Sequence, residues 1–126
     1  MGVQNLEDLH AYQAARAFKL AVYELGSNSA GVRKDDQFRH QLFDAAASVE
    51  INIAEGFRRF SAGEFCQFIR YSRASLEETM RWLEDGVARG YFVTSDLAPI
   101  QPLSESSARL SIALWRSLQP FIKKNR

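Results

Sequence analysis

At 126 residues the chain is sized for one domain, residues 1–126, built around a single hydrophobic core. Sixteen basic residues against fifteen acidic ones leave a formal charge of +1, which excludes the broad positive field of a protein that coats nucleic acid or anionic membrane. A single cysteine, Cys66, excludes an internal disulfide and a cysteine-built zinc site.

Three turn-rich zones divide the chain into four pieces. The first piece, Asn5 to Leu25, carries an apolar stripe at helical spacing, Ala14, Phe18, Ala21 and Leu25. Asn5 is its expected N-cap and Gly26 its stop. Gly26 to Gly31 reads as a turn. The second piece, Asp36 to Arg59, has a core face of Phe38, Leu42, Ala45, Val49, Ile53 and Gly56, capped by Asp35 or Asp36. The third, Ser61 to Arg89, opens with a capping-box pattern, Ser61 followed by Glu64. Phe65, Ile69, Ser72, Leu76, Met80 or Thr79, Leu83 and Val87 keep one face along it, and Gly90 ends it. Glu77 precedes Arg81 by four residues, the favourable order for an ion pair on a helix.

Tyr91 to Thr94 is β-prone but solitary. Ser95 reads as an N-cap, but Pro99 and Pro102 follow, so either a short turn precedes the main fourth helix or that helix starts near Pro102; its seam is Leu103, Ser107, Leu110, Leu114, Leu118 and Phe121. The tail Lys123-Lys124-Asn125-Arg126 is expected to fray. Four helices with short links predict an all-α fold, an antiparallel up-down-up-down four-helix bundle.

The second helix has more apolar surface than one seam requires. Phe43, Ala47, Ile51 and Ala54 form another stripe opposite the core face. Tyr71, Ser75 and Trp82 widen the arc on the third helix. A helix apolar on two sides is usually buried on two sides, so Phe43, Ala47, Ile51 and Ala54 are the expected interface of a homo-oligomer. Between the stripes run Ser48, Asn52, Glu55 and Arg59, expected to form a structural polar network that fixes helix register.

No catalytic residues, metal ligands or cofactor are predicted. His10 and His40 lie on different helices, and no phosphate loop, nucleophile elbow or dinucleotide fingerprint is present. Cys66 falls off the expected core face, with no neighbour to lower its pKa. No run approaches the ~20 apolar residues of a membrane span. Met1 to Asn5 lacks a signal-peptide pattern, so a cytoplasmic protein is expected. The alternative function is nucleic-acid binding through Arg58, Arg59, Arg70 and Arg73, with Lys123, Lys124 and Arg126 as a further basic cluster and Phe57, Phe60 and Tyr71 as stacking groups.

Asn52-Ile53-Ala54-Glu55-Gly56, preceded by Ser48 and followed by Phe57-Arg58-Arg59, resembles the signature of the four-helix-bundle proteins encoded by intervening sequences of bacterial large-subunit ribosomal RNA genes. Gln41-Leu42, Ala45-Ala46, Glu64-Phe65, Phe68, Ser72 and Ser75-Leu76-Glu77-Glu78 extend the likeness, with a looser match at Leu9, Gln13-Ala14 and Tyr23. The resemblance implies a homopentameric ring with a central channel and no enzymatic activity. It also implies a structural role for Ser48, Asn52, Glu55 and Gly56. The related accessory variability proteins of diversity-generating retroelements form similar pentamers that bind nucleic acid, but they are markedly basic. This chain departs from the family in having Val49-Glu50-Ile51 where a proline is common and Phe43-Asp44 where a basic residue is.

Overall fold

Every regular element among the described residues is helical. The computed structural model describes residues 3–123, so Lys124 to Arg126 of the basic tail lie outside it. Five α-helices follow in order: α1 His10–Ser27, α2 Ala30–Lys34, α3 Asp36–Phe57, α4 Ala62–Ala88 and α5 Ile100–Leu118. Short 3-10 turns cover Leu6–Asp8, Thr94–Leu97 and Gln119–Phe121.

The starts of α2, α3 and α4 follow from side-chain caps. Ser61 Oγ accepts from Glu64 N at 3.0 Å and starts α4 as the sequence predicts. Asp35 caps α3, its carboxylate accepting from Phe38 N at 3.1 Å. The same carboxylate accepts from the Tyr91 hydroxyl at 2.6 Å and the Arg89 guanidinium at 3.1 Å, so the start of α3 is tied to the end of α4. The Tyr91 bond, the largest influence, holds the Asp35 carboxyl below its ordinary pKa.

Several expectations are corrected. Residues 30–34, read as a turn, form α2, because Ser29 caps them and Val32 buries fully in the core. Asn5 makes no side-chain cap, and α1 begins only at His10, after the 3-10 turn. Gly26 does not stop α1. It lies inside the helix, where an added Cβ would stand 2.5 Å from the Phe43 ring. The buried line of α1 is Ala11, Ala15, Phe18 and Val22, so Ala14, Ala21 and Leu25 flank it. Thr79 rather than Met80 is the buried residue of α4. Gly90 does end that region, with φ +82°.

Tyr91 and Phe92 are no mere linker. Phe92 is buried against Gly86, and Phe38 meets the Tyr91 ring edge-on at 5.1 Å. As expected, a short turn, Thr94–Leu97, precedes the fourth long helix, which starts at Ile100 with Pro102 in its first turn; the N-cap of the short turn is Val93, not Ser95. Its buried residues are Ile100, Ser104, Ser107, Ser111 and Leu118; Leu103, Leu110 and Leu114 are half-buried and Phe121 is exposed. The core itself centres on Phe18, Val22, Leu42, Val49, Ile53, Ile69 and Leu83, each contributing about 1.5–3 kcal/mol by burial.

Candidate interaction surface

α3 is the helix on which the sequence placed most function; its expected core face, Phe38, Leu42, Ala45, Val49, Ile53 and Gly56, is buried throughout, and its outward stripe changes at one residue. Val49 and Ile53 are fully buried. Ile51 is 60% exposed and Ala47 and Ala54 are half-buried, which leaves an outward apolar line. Phe43 leaves that line. Its ring packs at 4.9 Å and 48° on Tyr23 of α1 and fills the space above Gly26. On α4, Phe68 and Tyr71 meet edge to face at 5.5 Å, and Gln67 donates to the Tyr71 hydroxyl at 2.8 Å. Tyr71, 46% exposed, lies between Phe68, which packs on Gly56, and Ser75, which bonds Ser48.

The signature residues divide into two groups. Asn52 Nδ2 donates to both the carbonyl and the hydroxyl of Ser48, each at 2.8 Å, and the Ser75 hydroxyl donates to Ser48 Oγ at 2.9 Å. Beneath them the buried Ser72 hydroxyl donates to the Val49 carbonyl at 2.7 Å. The Ser75 and Ser72 bonds fix α3 against α4, and those of Asn52 hold Ser48 in place within α3. Gly56 belongs to the same seam: a Cβ there would lie 2.7 Å from the Phe65 ring and 2.9 Å from Phe68 Cβ. Glu55 stands outside the network, where it pairs with Arg59 at 3.0 Å.

Sequence reasoning missed Glu50. Its side chain is 10% exposed and accepts from Tyr12 Oη at 2.6 Å and from Lys19 Nζ, with Arg16 at 3.8 Å. Burial by itself would raise this carboxyl, but the Lys19 and Tyr12 hydrogen bonds and the Lys19 and Arg16 charges outweigh it and hold the pKa below its ordinary value. Glu50 is therefore ionised and locks α1 to α3. The available signal was a lone acid in an apolar run, opposite Tyr12, Arg16 and Lys19 at helical spacing.

The basic candidates are not one patch. Arg59 lies over the Phe68 ring at 4.7 Å while held by Glu55. Arg58 is exposed at the end of α3. Arg70 is near Cys66 on the α5 side of α4, and Arg73 borders a groove between α4 and α5. Phe60, fully exposed, and Phe121 line a hollow of about 600 Å³ with Lys123.

Cys66, expected off the core face, is buried instead. It takes a hydrogen bond from Gln119 at 3.4 Å and lies 4.0 Å from the Trp115 carbonyl. Burial, opposed by that bond, pushes its thiol above the ordinary pKa, which disfavours the thiolate. Among the described residues no group of three or more His, Cys, Asp or Glu side chains is placed to hold a metal ion, and no helix is long and apolar enough to cross a membrane.

No curated protein and no solved structure matches the chain. A family model does, and it spans both the Ser48–Asn52–Ser75 network and the Glu50 lock. Because that model, described as the 23S rRNA-intervening sequence protein, matches residues 7–113, the chain belongs to that family.

Proposed function

We propose that the protein is a non-catalytic, cytoplasmic, homo-oligomeric scaffold or interaction module. In this reading the four long helices pack as an antiparallel up-down-up-down bundle. The contacts that support the arrangement run in opposite directions along each pair: Glu50 with Tyr12 but Phe43 with Gly26, and Gly56 with Phe65 but Ser48 with Ser75. One observation carries the self-association: Ile51, a β-branched aliphatic residue, stands 60% exposed between Ala47 and Ala54 on a helix whose other sides are covered. A ring of five copies is the assembly that the family resemblance implies. Light scattering coupled to size exclusion tests the reading. We expect a mass near five chains that persists in high salt, and loss of that mass in Ile51→Asp with helicity retained. A monomeric parent, or an unchanged Ile51→Asp assembly, rejects the α3 stripe as the interface.

The second reading, nucleic-acid binding, is favoured by the fully exposed Phe60, which lines a hollow with Arg59, and by Phe121 beside Lys123. A mobility shift with mixed RNA and DNA separates the two readings. Absence of a shift at low salt removes nucleic acid as a ligand.

A further inference from the structure

Arg73, Glu77, Arg81 and Glu84 run along one line of α4 and border the groove between α4 and α5. All four are exposed. None forms an ion pair with another described residue, although neighbours four apart on a helix ordinarily can. Glu77 and Arg81, expected to pair, are among them.

Their order is self-complementary. When α4 lies antiparallel on a second copy of itself, Arg73 meets the copy's Glu84 and Glu77 meets the copy's Arg81. Both matches share a two-fold axis near Thr79 to within half a residue, under about 1 Å along a helix. Met80, half-buried at nearly the same level, supplies its apolar centre. The register is specific. A slip of one turn sets Arg73 on Arg81 and Glu77 on itself, and a parallel alignment sets every charge on its like. On the α5 side the small Ser104 and Ala108 leave a hollow of about 340 Å³, which gives room for the opposing Met80.

We infer that α4 carries a second self-recognition surface, at which two copies meet across this axis through reciprocal Arg–Glu pairs. The contact is isologous, unlike a ring contact, so it joins two chains or two rings and then closes. Exposed charges set its register more than its strength, and salt weakens it.

Sedimentation of the full chain at low and high salt tests the inference. We expect the low-salt mass to be twice the high-salt mass. Arg73→Glu abolishes the doubling, and Arg73→Glu combined with Glu84→Arg restores it, because the exchange preserves self-complementarity. A mass indifferent to salt overturns the inference. So does Arg73→Glu that still doubles, or a double exchange that keeps its far-ultraviolet helicity without doubling. Ile51→Asp acts on the other surface and changes the high-salt mass, so failure of one contact is not mistaken for failure of the other.

Discussion

The two sides of α4 are built differently. Toward α3, hydroxyls reach across the seam: Ser72 to the Val49 carbonyl and Ser75 to Ser48, with Gly56 admitting the Phe65 ring and Phe68 Cβ and Phe38 meeting Trp82 edge-on at 5.6 Å. Toward α5, Cys66 ties to Trp115 and Gln119 at one end, and an open groove follows along Arg73 to Glu84. Ser107, buried in α5, has a hydroxyl without a partner among the described residues. The same residue type thus fastens the α3–α4 seam and leaves a polar atom unsatisfied within α5. A serine in a helix face stabilises only where an opposing acceptor comes within reach.

Substitutions can break the contrast. Val49→Asp has the largest expected effect: a carboxylate at a fully buried position beneath the α3–α4 seam unfolds the chain, seen as loss of far-ultraviolet circular dichroism. Retained helicity would mean that this seam tolerates what a packed core does not. Gly56→Ala comes next, at about 2 kcal/mol of lost stability in denaturant melts, because Phe65 and Phe68 already occupy the space of its Cβ. The matching enlargement across the groove, Ala108→Leu, is expected within about 0.5 kcal/mol of the parent, since its side chain enters open space. Equal costs for the two would erase the distinction between the seams. Ser72→Ala should cost about 1 kcal/mol, whereas Ser107→Ala should be neutral or stabilising by up to about 1 kcal/mol, because it deletes an unpaired buried hydroxyl.

What the sequence revealed followed the same division. The α3–α4 side was legible: Ser61 as a cap, Val49 and Ile53 as core, Ser48 and Asn52 as a network and Glu55 with Arg59 on one polar line all rest on local spacing. The α5 side was legible only in part: Ser107 and Leu118 of its expected seam are buried, but Ser104 and Ser111 were missed because a hydropathy pattern follows the leucines beside them. Glu50 escaped for a related reason: its burial depends on cations from a distant helix, and local pattern carries no record of such a partner. Phe43 was assigned to the outside because its spacing fits Ile51. The absence of a Cβ at Gly26, seventeen positions earlier in the chain, turns its ring inward.

The placement of the two tryptophans has an optical consequence. Trp82 rests against Phe38 in the closely bonded seam, and Trp115 belongs to α5, its carbonyl held by Gln119. Each fluorophore therefore reports on a different side of α4. With the other replaced by phenylalanine, emission from Trp115 follows the release of α5, and emission from Trp82 follows the melting of what remains. The order in which the two signals fade gives a direct reading of whether this chain comes apart as one unit or sheds its last helix first.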